Sequence, residues 1–595
     1  MLYAEIFYGT DRNSIMENRT KYSLLKSAAI NAVILAAVLI ATHMMYETND
    51  DYAIASRIVD GYPEVNFVNY YLCLILVKIQ AAVPSLNAYV IFMILGSYVS
   101  FTCILKLIMD RTDQKIIYIA SALVIALFSV DHYCTIQFTK TAALMISAAL
   151  MLMLDTLTRK RNVLHILLSL ILLYAGAALR IDGLMVAVGF AGIYLLYWLF
   201  INRKRLTEEG YLTAPRILLY IVLLALTGGC LVFNHMSYLA NTGSEGLKAY
   251  KEYSQARSDV VDFGVYDNYD QNAAAYEEIG ISENDLNLID HWYFDYDGAA
   301  SLDNLIKIKE IDNAGTHESY SVRQAAEDFI DSVKSSVRKL GFTGIHIIIL
   351  CIIALWMIIA LHPRHWLYII ATGAFAACLY MALHYMQRPA YRAQYMADIG
   401  AAMWLLYTLS TAYEYDREVR GTKRRRPLLV MGICTSLIAA MLLAPLFVRC
   451  NKSYDGVKGK LMPAELAEYI GDHSDSFFVF ATSEKKSGAA YLTPWKAPDT
   501  KAEKNVMGTG SWGTMSPYVL DKLGAYGLKN PIKDLIDNSN AYYIGNKRIG
   551  KLTEYYNKWY GGDGKTIRLE QVSESGGYKI WKVVSQDGEQ QKTAT

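Results

Sequence analysis

Five short groups of residues have types that could do chemistry. Asn49-Asp50-Asp51 follows the first long apolar run. Adjacent carboxylates at the edge of a membrane are costly unless partners or water compensate them. They read either as the acidic first turn of a helix starting near Tyr52 or as a general base. A base there would take a proton from an acceptor hydroxyl as its bond to a donor forms. Asp131-His132 lies between two later apolar runs. It is either a plain loop feature or a carboxylate and imidazole that position an acceptor or a divalent metal. Lys140 begins the next run and would pair with an acid or a phosphate. Arg180-Ile181-Asp182 reads as an interfacial ion pair or a phosphate contact. His384, Arg388, Tyr391 and Arg392 precede a late apolar run. Two planar guanidinium forks there suit the phosphate of a lipid carrier or a generic headgroup.

These groups must be positioned by elements of a particular kind. The chain has 595 residues, a net charge of +1, 53% hydrophobic and only 19% charged residues. Soluble domains carry roughly 25% charge, so this composition argues against a soluble enzyme, a disordered chain and a basic nucleic-acid binder. Eight cysteines, most inside apolar runs, exclude a disulfide-stapled secreted fold. Forty-five tyrosines and nine tryptophans suit membrane interfaces and sugar faces. No phosphate-binding glycine loop, dinucleotide fingerprint or zinc spacing is present.

The apolar residues fall into eleven candidate spans at 27–46, 87–109, 116–130, 137–154, 163–179, 183–201, 216–235, 343–361, 366–383, 394–412 and 428–447. A span needs about 20 residues. The run 67–83, interrupted by Lys78 and Gln80, reads as a helix lying in the interface. Lysine and arginine bias places the N-terminus in the cytoplasm. The even-numbered loops carry Arg111/Lys115, Arg159-Lys160-Arg161, Arg203-Lys204-Arg205, Arg364 and Arg417 to Arg426. All five candidate groups then share the outer face, with the long loops 47–86 and 236–342. Residues 1–447 form the predicted membrane domain. Residues 448–595 form a predicted small extracytoplasmic α/β domain, with strands near Phe477–Ala481 and Gly577–Val584. Its aromatics, Trp495, Trp512, Trp559 and Tyr560, would pack a core or stack on sugars.

A cytoplasmic N-terminus, one span, an outer loop opening on Thr48-Asn49-Asp50-Asp51-Tyr52, interfacial helices, about ten more spans and an outer C-terminal domain form a pattern. It resembles the GT-C superfamily of integral-membrane glycosyltransferases, and within it uncharacterised multi-pass proteins of Gram-positive bacteria. Phe67-Val68-Asn69 and Pro84-Ser85-Leu86-Asn87 also fit that group. The resemblance implies an α-helical polytopic fold of about 11 transmembrane helices. It implies a polyprenyl-phosphate-linked sugar as donor and inversion at the anomeric carbon. The acceptor would be an extracytoplasmic glycan, lipid-linked glycan or protein. It maps the first-loop acid onto Asp50 or Asp51, the second acid onto Asp131 beside His132, and carrier-phosphate contacts onto Lys140, Arg180, Arg388 and Arg392. Some members bind Mg2+ or Mn2+ and others do not, so metal dependence stays open. A surface-polysaccharide polymerase or ligase, or a lipid or glycan transporter, would share the membrane setting without needing the first-loop acid.

Overall fold

The computed structural model describes the chain except residues 1, 159–162, 204–213, 263–268, 315–320, 421–424, 485–488, 563 and 588–595. The basic clusters Arg159–Arg161, Lys204-Arg205 and Lys423-Arg424 thus lie outside the described residues.

Long apolar runs become helices because a lipid interior leaves backbone polar groups no other partner. The membrane bundle comprises α1 (Leu2–Ala41), α4 (Ala88–Arg111), α5 (Lys115–Cys134), α6 (Phe138–Thr158), α7 (Val163–Leu179), α8 (Asp182–Asn202) and α9 (Ala214–Ala240). It continues with α15 (Phe342–Ala360), α16 (Trp366–Tyr385), α17 (Tyr391–Arg420) and α18 (Arg425–Lys458). Nine of these are long and apolar enough to cross a membrane, among the described residues. The shorter α7 and the more polar α17 pack among them. The eleven runs expected from sequence all fall on these helices. The first stops at Ala41, before Met45-Tyr46 joins a strand pair. The protein is therefore a multi-pass helical membrane protein.

The bundle is organised around α6, whose apolar window is 94% buried. α17 lies against it, with Tyr395, Ile399, Trp404 and Leu406 sealed from solvent. At the rim, α1 and α9 show most of their apolar surface, as lipid-facing helices do.

Two short helices lie in the first loop, α2 (Asn49–Val59) and α3 (Tyr70–Ala82). At 13 residues α3 is too short to span. Contacts across the loops agree. Asn66 donates to Ser254 at 2.6 Å, and Tyr52 donates to Glu503 at 2.8 Å. Six spans separate loop one from the segment after α9, and four more precede the tail. Even numbers bring all three to one face of the membrane.

From the sequence, loop 236–342 is expected to belong with the membrane domain 1–447, and the tail from 448 to be a domain of its own. In the structure most of the loop and the tail share one extramembrane core, and α18 runs on to Lys458. The loop contributes α10 (Glu245–Arg257), α11 (Tyr269–Glu278), α12 (Glu283–Asp290) and α13 (Leu302–Ala314), while its last helix, α14 (Val322–Arg338), packs against the membrane helices α15 and α16. The tail contributes α19 (Ala464–Asp472), α20 (Pro517–Gly524) and α21 (Ile549–Tyr560). Its sheet holds β3 (Phe477–Phe480), β4 (Val506–Gly508), β5 (Ala541–Ile544), β6 (Lys565–Ser575) and β7 (Tyr578–Asp587), in the order β4-β3-β5-β7-β6. β3, β4 and β5 are parallel, and β7 runs antiparallel to both β5 and β6. One core joins Tyr253, Leu286, Phe294 and Leu305 of the loop to Phe477, Val479, Leu523 and Leu552 of the tail. Neither segment buries those side chains alone, which is why they fold together. Trp559 and Tyr560 belong to this domain, donating to Asp285 at 2.9 Å and to Asp295 at 2.5 Å.

Candidate functional site

α2 starts where Thr48 adopts an extended conformation and turns the chain. Its Oγ1 donates to Asp51 Oδ2 at 3.0 Å, tying the first turn together. Just before it, β1 (Met45–Tyr46) pairs in parallel with β2 (Thr135–Ile136). That two-residue clamp pulls the first loop against the short connection between α5 and α6. It is the reason residues some ninety positions apart share one region.

Where the bundle meets the extramembrane domain lies a cavity of about 1500 Å³. Its floor is apolar, with Met185 and Val186 of α8, Phe375, Leu379 and Leu383 of α16, and Met396 of α17. Its walls carry Asp50 and Arg57 of α2, Arg180, Asp182, Arg257, Arg388 and Arg392. Its roof is Trp292, Tyr491, Glu503, Trp512 and Tyr518. Such a space accepts a molecule with a greasy end and a charged, sugar-like end.

Asp50 and Arg392 face each other across it, Oδ2 to Nη2 3.8 Å apart, with side chains 19% and 34% exposed. Burial pushes the Asp50 carboxyl above its usual range, Arg392 opposes this, and Asp262 adds to the rise. Arg180 forms an ion pair with Asp182 at 2.7 Å and also lines the cavity. Arg257 pairs with Asp262 at 3.2 Å and lies over Trp292.

Asp51 is adjacent in sequence but turned away from the cavity and wholly buried. Tyr89 donates to it at 2.9 Å and the Phe138 backbone N–H at 3.0 Å. Burial pushes its carboxyl up to about 8. It holds α2 onto α4 and α6, so of the two acids the sequence leaves open as the base, Asp50 faces the cavity and Asp51 does not.

Asp131, His132 and Lys140 also stay out of the cavity. Lys140 is sealed between two acids, with Nζ 2.9 Å from Asp131 Oδ1 and 2.5 Å from Glu47 Oε2. Thr135 donates to Asp131 at 2.6 Å, as does Tyr391. The ammonium is thus committed to carboxylates instead of standing free for a carrier phosphate. Asp131 in turn has a cation already and is filled with donors. His132 points elsewhere, its Nδ1 3.1 Å from Ser97 and its ring edge-on to Phe101. Among the described residues no three His, Cys, Asp or Glu side chains converge as metal ligands. Where Glu47 and Asp131 do approach, the Lys140 ammonium takes the place a cation would fill. His384 packs against Phe329 and does not line the cavity.

Several cavity residues went unnoticed in the sequence, the charged Arg57, Arg257 and Glu503 among them. The signal for Arg57 was available. Asn49, Tyr52, Ala53 and Ser56 line the cavity at i, i+3, i+4 and i+7, with Asp50 and Arg57 beside them on the same helix face. Arg257 and Glu503 carry no such pattern, because they reach the cavity through the fold of the other domain.

No protein-family profile matches the sequence, and a comparison with curated proteins finds no match. Among solved structures, the crystal structure of ArnT from Cupriavidus metallidurans in the apo state is similar at 10% identity. The match covers 94% of this chain and 97% of that one, at a TM-score of 0.33.

Proposed function

We propose that this protein is a membrane glycosyltransferase that moves a sugar from a polyprenyl-phosphate donor to an extracytoplasmic acceptor, with Asp50 as base. The N-terminus is cytoplasmic in this reading, and the cavity opens to the outer leaflet. The observation that carries it is the opposition of Asp50 and Arg392 in one cavity, at the junction of an apolar floor and an aromatic roof. The polyprenyl chain lies toward α8 and α16, its phosphate meets Arg388 and Arg392, and the sugar stands under the roof.

The acceptor hydroxyl attacks the anomeric carbon and gives its proton to Asp50. The bond from that carbon to the phosphate oxygen breaks, and the polyprenyl phosphate leaves with the electron pair. A single displacement inverts the centre. The guanidinium groups stabilise the charge that gathers on the leaving phosphate. The 3.8 Å pair supplies a further element. A phosphate arriving at Arg392 competes with Asp50 for that cation. As Arg392 turns to the phosphate, Asp50 loses its opposing charge and its proton affinity rises, which is what a base needs once the donor is bound.

The test uses the full chain in lipid nanodiscs supplied with a panel of polyprenyl-phosphate sugars and cell-envelope acceptors. Wild type transfers sugar, and Asp50→Asn loses about 10²- to 10⁴-fold in rate. Transfer by Asp50→Asn at the wild-type rate removes the base assignment. No transfer from any such donor removes the transferase reading.

A further inference from the structure

Among the described residues Arg57 is a buried cation without an anion. It is 3% exposed, lines the cavity, and sits two turns beyond Asp50 on the same face of α2. Its guanidinium lies over Trp512 at 4.1 Å and over Tyr518 at 4.9 Å. An arginine has five N–H donors. Here Nη1 reaches the Ala53 carbonyl at 3.2 Å, while Nε meets no acceptor. Among the described residues no carboxylate pairs with it.

The other paired arginines of the cavity differ: Arg180 has Asp182, Arg257 has Asp262 and Arg392 has Asp50. An uncompensated buried charge costs more than stacking on aromatic rings returns. The seat is nevertheless closely built. A Cβ on Gly513 would fall 1.8 Å from Arg57 Nη2, so only glycine leaves the guanidinium its room. Tyr250, which feels both Arg57 and Arg257, donates to the Trp512 carbonyl at 3.4 Å and braces the loop behind it.

We propose that Arg57 seats an oxyanion, phosphate or carboxylate, carried by the acceptor molecule. This rests on the transferase reading and names the acceptor class within it. Seven residues of α-helix separate Arg57 from Asp50 by about 10 Å, too far for both Arg57 and Arg392 to hold one carrier phosphate. Arg392 works beside Asp50, whereas Arg57 is enclosed by Trp512 and Tyr518 of the extramembrane domain. The acceptor therefore presents its hydroxyl to Asp50 and its anion to Arg57.

The experiment measures thermal stabilisation of the full chain in nanodiscs by methyl phosphate and by glucuronate, with chloride at matched ionic strength as control. One of the two oxyanions raises Tm, which identifies the acceptor's group. The shift survives in Arg392→Gln and disappears in Arg57→Gln. Arg57→Lys keeps the charge but loses the two-pronged contact, and binds the anion about tenfold more weakly. An equal shift from chloride, no shift from either oxyanion, or the same shift in wild type and Arg57→Gln overturns the proposal. Should Arg57→Gln not fold, wild-type affinity in Arg57→Lys overturns it. None of these readouts needs sugar transfer. Arg57-dependent anion binding alongside a failed transfer assay would count against the transferase reading alone.

Discussion

Glu47 and Asp50 stand three residues apart in one loop and have opposite surroundings. Glu47 sits with Asp131 around Lys140, in a cluster where the ammonium and Asp131 are shielded and Glu47 is 17% exposed. Asp50 faces Arg392 across open space, at a distance too long for a hydrogen bond. The first cluster is saturated. Every strong partner is already inside the protein, and a ligand has nothing to add. The second is poised, because its charges attract each other while both keep capacity for a third party. Saturation builds the frame, and incomplete pairing leaves room for chemistry.

That contrast can be broken by substitution. The largest effects should separate cleanly. Asp50→Asn loses transfer as described above and keeps its fold, so its melting temperature stays near that of wild type. Lys140→Met does the reverse, leaving two buried carboxylates without their cation. It destabilises the protein by about 3–5 kcal/mol, seen as a strongly lowered Tm in detergent. The triple change Glu47→Gln, Lys140→Met, Asp131→Asn recovers most of that loss. If Lys140→Met melts like wild type, the frame is not where the stability lies.

A smaller effect tests the poised pair. Arg392→Gln lowers transfer by about 10²-fold or more, as loss of one charge-stabilising donor does. It also moves the acid limb of the pH–rate profile. Asp50 acts as a carboxylate, and its pKa is already raised by burial against the opposition of Arg392. Activity in wild type therefore falls with decreasing pH through a value above the ordinary carboxylate range, and in Arg392→Gln through a higher one still. An unshifted limb would mean that Arg392 does not act on the base.

Asp51 gives a pH signature in stability. Its folded carboxyl is at about 8, against roughly 3.9 unfolded. A raised value means the folded state holds its proton more tightly. The stability Asp51 contributes is full below about pH 4 and is lost as pH rises through about 8. Melting temperatures of wild type should decline over that window relative to Asp51→Asn, and parallel curves would remove the assignment. The smallest change is expected at the rim. The pair of Arg180 and Asp182 is partly exposed, and Asp182→Asn should alter stability by less than about 1 kcal/mol.

The spans were legible because lipid imposes a length and a composition. The interfacial reading of 67–83 was legible from Lys78 and Gln80, and α3 ends near them at Ala82. Side of the membrane was likewise open to argument from charge bias. Depth and rotation were not. Asp50 and Asp51 look alike in sequence, but consecutive residues of a helix point about 100° apart, and here one faces a cavity and the other α4 and α6. Lys140 reads as a partner for an acid or a phosphate, and only the fold brings it two acids, Glu47 from the first loop and Asp131 from the last turn of α5. The extramembrane domain was the least legible part. Its acidic loop reads as part of the membrane domain, since the apolar residues it gives the common core come singly or in short pairs such as Leu288-Ile289 and Tyr293-Phe294 among polar ones.

That shared core has a consequence for biogenesis. Four helices, α15 to α18, must be threaded into the membrane between synthesis of its first half and its second. Until the tail arrives, Phe294, Leu286 and their neighbours have no partner sheet to cover them. A ribosome halted anywhere in those four helices leaves a sticky, half-finished surface that chaperones or proteases can recognise. Most of the roof of the cavity thus comes last, with Trp292 alone made before those helices, and the site is assembled only in chains whose insertion has run to completion.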